Sequence, residues 1–146
     1  MSDEALRRWL DAHVNLERGV GRPAHVARAE APTLARIQEL TGLLGSPQLD
    51  VPSVHLTGTN GKTSTARIVA MLLRCAGEKV GAYTSPHLVT LNERLSIDGE
   101  PISDPRLDEV LATIRLVEAH LAEPPSWFEI LTAAAFYWFK IGRAHV

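Results

Sequence analysis

The sequence predicts an α/β fold in which a phosphate-binding loop joins a strand to a helix. Three observations carry this. Residues 51–57 form a short, β-rich, apolar run that reads as a buried strand. Thr57-Gly58-Thr59-Asn60-Gly61-Lys62-Thr63-Ser64 follows without a break. Residues 63–76 then repeat apolar side chains at helical spacing, with Ala66, Val69, Ala70 and Leu73 on one face. A second strand is expected over 79–83. A strand–loop–helix–strand unit of about 30 residues is the size of a crossover connection, so the two strands are expected to be parallel.

The composition agrees with one soluble domain. The chain has 146 residues, 45% of them apolar and 22% charged. That balance excludes disorder by composition, which requires too little apolar surface to bury. No run approaches the ~18 apolar residues of a membrane span, so no membrane partner is expected. Fifteen Lys and Arg stand against 17 Asp and Glu, a net charge of -2, and nothing in that balance suggests a general nucleic-acid binder, so no nucleic-acid partner is expected. The charged N-terminus lacks the apolar core of an export signal. The single Cys75 has no internal disulfide partner and fits a reducing compartment, so a cytoplasmic location is expected.

The remaining elements follow in order. Residues 3–17 form a helix with Leu6, Trp9, Leu10, His13 and Val14 on one face, broken by Gly19, Gly21 and Pro23. A second helix runs over 32–44, opened by Pro32 and ended at Gly45-Ser46-Pro47, with Leu34, Ile37, Leu40, Thr41 and Leu44 as its stripe. Gly77 caps the loop's helix. Residues 84–92 are irregular. Residues 94–97 and 100–102 form a hairpin about Asp98-Gly99. Ser103 can cap a helix carrying Leu107, Val110, Leu111, Ile114, Val117 and Leu121, which Pro124-Pro125 ends. Residues 127–139 are almost wholly apolar and read as a helix buried on most sides. His55 and Cys75 read as core and packing residues. Trp127, Tyr137, Trp138 and Phe139 also read as core. His13, His25 and His120 show no ligand spacing, and no Cys/His cluster supports zinc.

The loop carries the chemistry. Glycines let the backbone approach a ligand closely, and successive N–H groups at a helix start face its phosphates. Lys62 adds a positive charge, worth about 4 kcal/mol against a phosphate at ~4 Å and an effective dielectric of ~20, before desolvation. Thr63 and Ser64 offer hydroxyls to a phosphate oxygen or Mg²⁺. The spacing departs from GxxxxGK[ST], because Leu56 stands at the first glycine and Gly58 lies three residues before Gly61.

That shorter loop resembles the nucleotide loop of the Mur ligase superfamily. Val54-His55-Leu56 before it, and Leu72-Leu73 and Gly77 after it, are similar to folylpolyglutamate synthase, often bifunctional with dihydrofolate synthase. Thr84-Ser85-Pro86-His87-Leu88 with Asn92-Glu93-Arg94-Leu95-Ser96-Ile97-Asp98-Gly99 resembles the Ω loop and hairpin of that family. Residues 34–47 and Phe128-Glu129-Ile130-Leu131-Thr132 resemble further family stretches.

The resemblance implies a three-layer, P-loop-containing domain of Mur ligase type with a parallel sheet, incomplete at its C-terminus. It implies an ATP-dependent ligase that joins L-glutamate to dihydropteroate or folate polyglutamates through an acyl phosphate, in folate biosynthesis and one-carbon metabolism. ATP and Mg²⁺ are the implied cofactors, and a monomer is expected at full length. Gly58, Thr59, Asn60, Gly61, Lys62, Thr63 and Ser64 would bind ATP, with Lys62 catalytic. Ser85 and Thr63 would hold Mg²⁺, although Ser85 also reads as a simple turn opener. His87 would hold its loop or touch the pterin. Arg94 would pair locally or touch substrate. Glu129 needs a partner or a helix N-terminus, with a supporting role near the substrate as the alternative.

The family's later metal-binding Glu and its glutamate-binding domain do not fall within these residues, so the chain alone is expected to be inactive. Residues 1–140 are expected to be the N-terminal part of the ATP-binding central domain of the Mur ligase type. Residues 141–146 read like one frame of a sequencing adapter, and Lys140 could straddle that junction. The other readings are a Mur-type ligase acting on a cell-wall precursor and a small non-catalytic Mg-ATP-binding module.

Overall fold

The computed structural model describes residues 3–15 and 34–142. The expectations for residues 16–17, for the Gly19–Pro23 break, for His25, for Pro32 as helix opener and for the 143–146 tail lie outside them. Helix α1 (Asp3–Asp11) is followed by α2 (Leu34–Leu43), a short 3₁₀ turn (Pro47–Leu49) and α3 (Lys62–Cys75). Strand β1 (Gly81–Tyr83), a second 3₁₀ turn (Leu91–Arg94), β2 (Leu95–Ile97) and β3 (Glu100–Pro101) come next. Helices α4 (Asp104–Glu118) and α5 (Trp127–Gly142) complete the described chain. No described helix is long and apolar enough to cross a membrane.

The core lies between α1, α2, α4, α5 and the hairpin. Leu6 and Leu10 of α1 and Leu40 of α2 meet Leu107, Val110, Leu111 and Ile114 of α4. Ile130, Leu131, Ala134 and Phe139 of α5 close it. The α4 stripe is thus the expected one, with Val117 and Leu121 partly buried at its end. In α2 the stripe holds at Leu40 and Thr41, while Leu34 at its first turn is exposed. Both α2 and α3 end in Schellman pairs. Gly45 and Ser46 donate to Gly42 and Thr41, and Gly77 and Glu78 donate to Arg74 and Leu73. Ser103 stands at the N-cap of α4 but makes no side-chain capping bond; its carbonyl accepts Leu107 N–H at 2.9 Å.

The hairpin forms as expected. Asp98 (φ 53°) and Gly99 (φ 84°) both take positive φ, as a two-residue type I′ turn requires. Asp98 also clasps Val80, donating its N–H to the carbonyl and accepting the Val80 N–H on Oδ1.

The α/β class stands, but the strand pairing differs. The described sheet is antiparallel throughout, in the order β1-β2-β3, with Gly81 opposite Ile97 and Tyr83 opposite Leu95. Residues 52–58 run without a ladder and are largely exposed. A cavity of about 460 Å³ separates them from β1, and a ladder needs backbones about 4.8 Å apart. His55 is therefore exposed, not a core residue. Cys75 is an exposed free thiol rather than a packing residue, and α3 buries no residue fully. Its expected inner face, Ala66, Val69, Ala70 and Leu73, is half-covered.

Candidate functional site

The loop turns on Gly61, which sits at φ 76°, ψ −6° as the N-cap of α3. A side chain is strained in this left-handed region, so glycine is needed there. The first N–H groups of any helix have no acceptor within it, so those of Lys62, Thr63 and Ser64 face outward for a ligand. No acidic residue occupies the first turn of α3 to compete for them. Thr65 secures the turn: its N–H and its hydroxyl both donate to Gly61 O at 2.9 Å. Sequence reading missed Thr65, although a hydroxyl four residues past a helix cap is a recognisable signal.

Gly58, Lys62, Thr63 and Ser85 line the same cavity of about 460 Å³. The loop at the start of α3 and the segment after β1 thus converge on one space. Its other walls include Leu56, Thr84, Phe128, Thr132 and Phe136, none of them expected as a site residue from sequence. Thr59, Asn60 and Ser64 are exposed on the loop and at the start of α3 and are not among the walls. Among the described residues no group of three or more His, Cys, Asp or Glu could hold a metal ion. The Thr63 and Ser85 hydroxyls are oxygen donors of the kind a hard cation accepts. A positively charged Lys, outward-facing amides and two hydroxyls on one cavity fit a magnesium-bound nucleotide phosphate.

His87, Arg94 and Glu129 lie elsewhere. His87 borders a second cavity of about 360 Å³ with Arg7, Asn92 and Trp127. Arg94 Nε donates to His87 Nδ1 at 2.8 Å, and the Arg94 guanidinium lies 4.7 Å from the Trp127 ring centroid. Asn92 Nδ2 donates to Ile102 O and Asp104 Oδ1. The Glu93 carboxylate accepts the N–H groups of Leu88, Val89 and Thr90 at 2.9–3.0 Å. Those bonds, that from Leu88 first, hold its pKa below the ordinary value.

Glu129 lines neither cavity. It forms a capping box with Ser126, accepting Ser126 N–H at 2.7 Å while Ser126 Oγ accepts Glu129 N–H at 3.2 Å. Arg36 Nε of α2 lies 3.5 Å from the same carboxylate. Glu129 thus has an ion-pair partner and a helix N-terminus through Oε2, while its buried Oε1 accepts no hydrogen bond among the described residues.

No protein-family model matches the chain. A dihydrofolate synthase/folylpolyglutamate synthase of Mycobacterium tuberculosis is 44% identical over 122 residues, covering 74% of this chain and 24% of that protein. A crystal structure of folylpolyglutamate synthase from Thermotoga maritima has a TM-score of 0.82 at 33% identity, covering 97% of this chain and 31% of that one. A Mycobacterium tuberculosis folylpolyglutamate synthase complexed with ADP gives 0.81 at 35% identity, covering 98% and 31%. The chain spans about a quarter of the length of the curated relatives it matches.

Proposed function

The chain is a relative of the folylpolyglutamate and dihydrofolate synthases, with their Mur ligase type of fold, and from that premise we propose that it is the phosphate-loop part of an ATP-dependent amide ligase. The observation that carries this is the convergence of Gly58, Lys62, Thr63 and Ser85 on one cavity at the start of α3. The ADP complex of a relative with the same fold supports a nucleotide there.

The substrates are ATP, L-glutamate, and the carboxylate of dihydropteroate or of a folate polyglutamate. The γ-phosphoryl passes to the carboxylate oxygen and ADP leaves. The glutamate amine then attacks the acyl carbon, losing a proton, and inorganic phosphate departs as the amide forms. The chain's own residues manage charge: the α3 amides and Lys62 offset negative charge that gathers on the transferring phosphoryl group. Thr63 and Ser85 would hold Mg²⁺, which supplies further neutralisation of the phosphates when bound. Asn60 and Thr59 shape the loop around the nucleotide. His87 and Arg94 belong to the substrate side of the Ser85–Arg94 segment, and Glu129 acts by fixing the start of α5. The reading includes a cytoplasmic location, supported by the exposed, unpaired Cys75 thiol. It also keeps residues 141–146 as a non-native tail, which an independent DNA read through codon 140 tests.

The function is tested in the full-length protein that contains this chain. ATP turnover is expected to require L-glutamate together with dihydropteroate or a reduced folate. Turnover driven by a cell-wall precursor and not by either pterin substrate would overturn the proposal.

A further inference from the structure

We propose that His13, Trp9 and Glu118 form a proton-operated latch that holds the end of α1 on the end of α4, and that raising the pH releases it. His13 stands just past the last residue of α1, Asp11, and its side chain is 7% exposed. Its Nδ1 lies 2.9 Å from Trp9 O, and its Nε2 lies 2.5 Å from Glu118 Oε1. A carbonyl oxygen only accepts, so Nδ1 carries a proton. An ionised carboxylate also only accepts. A neutral ring protonated on Nδ1 would turn its Nε2 lone pair on the Glu118 carboxylate. The contact therefore needs a second proton, held between Nε2 and Oε1. The other carboxylate oxygen accepts Trp9 Nε1–H at 2.8 Å, so the three side chains close on one another.

Two helix ends meet at this ring, and both favour a cation there. Trp9 O belongs to the last turn of α1, whose carbonyls run out of partners within the helix. Glu118 is the last residue of α4, where the helix dipole opposes a negative charge. The other charges on the packed elements are engaged elsewhere. On α4, Asp104 and Asp108 lie 3.3 and 3.8 Å from Arg7 Nη2. Arg115, one turn before Glu118, and Asp11 of α1 each have a further partner. On α5, Glu129 faces Arg36, and Lys140 pairs with Asp50. Glu118 is the carboxylate that meets His13.

The consequence reaches the second cavity. Arg7, Leu10 and Asp11 of α1 form one of its walls, facing Asn92 and Trp127. Val14 O, one residue past His13, accepts Trp127 N–H at 3.0 Å and ties the same stretch to the start of α5. A cation held by a carboxylate stabilises below its titration and ceases to as the pH rises through it. Loss of the second proton sets two acceptors against each other, and the end of α1 parts from α4. Leu6 and Leu10 remain as buried anchors, so the release is local: one wall of the cavity loosens while the core stays packed.

The test uses the full-length protein that contains this chain, labelled with ¹⁵N in His and Trp. It runs from about pH 5.5 to about pH 9.5, across the ordinary imidazole value of ~6.5. His13 Nδ1 is expected to keep its proton throughout, while Nε2 loses its own as the pH rises and the Trp9 indole signal moves with it. Amide exchange over residues 9–13, corrected for its intrinsic pH dependence, is expected to quicken about tenfold, the loss of one charge-assisted hydrogen bond. Glu118→Gln separates the latch from mere packing. Its carboxamide can donate to Nε2 while its oxygen accepts the indole N–H, so the contact closes without the second proton. The quickening of exchange at high pH is expected to vanish in E118Q. An unprotonated Nδ1, exchange that is indifferent to pH in the unsubstituted protein, or the same quickening in E118Q overturns the proposal. The first two readings need no variant, so a misfolded E118Q leaves the test intact.

Discussion

Helices α3 and α5 have similar lengths, 14 and 16 residues, yet they are held by different physics. Helix α5 buries eight residues, from Trp127 to Phe139. Helix α3 buries none fully. What shapes α3 is local: Gly61 at its start, the Thr65 bonds to Gly61 O, and the Gly77–Glu78 Schellman pair at its end. The phosphate loop is therefore built by short-range rules, and the scaffold by packing. Chemistry and stability should separate cleanly between them. Lys62→Ala is the largest expected effect: it should abolish Mg-ATP binding in calorimetry on the full-length protein. Because Lys62 is exposed, the same substitution should move unfolding stability by less than about 0.5 kcal/mol. Unchanged nucleotide affinity would remove the loop's assignment.

A matched pair of leucines sharpens the contrast. Leu131 of α5 is 0% exposed and Leu72 of α3 is 60% exposed. Leu131→Ala should destabilise the chain by about 2–5 kcal/mol, from lost transfer energy and the cavity left behind. Leu72→Ala should stay within about 0.5 kcal/mol. Urea unfolding of the two variants measures this. Equal losses would mean that α3 is packed as firmly as α5, and the division would fail.

The same division explains what could be read from the sequence. The α4 stripe, the Asp98-Gly99 turn and the end of α3 at Gly77 were legible because period and turn chemistry are local properties. The converging site was legible in part: Lys62, Thr63 and Ser85 share a cavity, and the loop pattern together with the family resemblance had pointed to them. That residues 51–57 form no ladder with β1 was not legible, since their character says nothing about the gap between them. The burial of Arg94 was also hidden. Its ring partner, Trp127, lies far along the chain, and no periodicity joins the two. The Ser126–Glu129 box was readable as Ser-x-x-Glu before an apolar run. The box itself was not anticipated; a partner or a helix N-terminus was expected for Glu129.

That box gives a smaller expected effect within the packed region. Ser126→Ala leaves the Glu129 N–H without its capping oxygen. A lost N-cap costs about 1 kcal/mol, less than a core truncation. Thermal unfolding should place S126A between the two leucine variants. A loss as large as that of Leu131→Ala would mean that the Arg36–Glu129 contact depends on the cap as well.

The smallest effect concerns pH, in the segment between the two cavities. Glu93 accepts three consecutive amides, Leu88, Val89 and Thr90, beneath two side chains, Leu88 and Val89, that face solvent. Its pKa is lowered, chiefly by the Leu88 bond. A carboxylate with a depressed folded-state pKa stabilises its surroundings fully above the unfolded value, here near 4.5, and that contribution is lost as pH falls through the folded value. The segment should therefore be indifferent to pH above that point and loosen below it. Solvent screening keeps the contribution to global stability small, so the measurement belongs at the amides themselves. Their chemical shifts, followed downward in pH, should titrate together with a midpoint below 4.5. In Glu93→Gln the three amides should lose that common titration, because the neutral amide carries no charge to protonate. A midpoint at or above the ordinary carboxylate value would show that these bonds do not favour the ionised form.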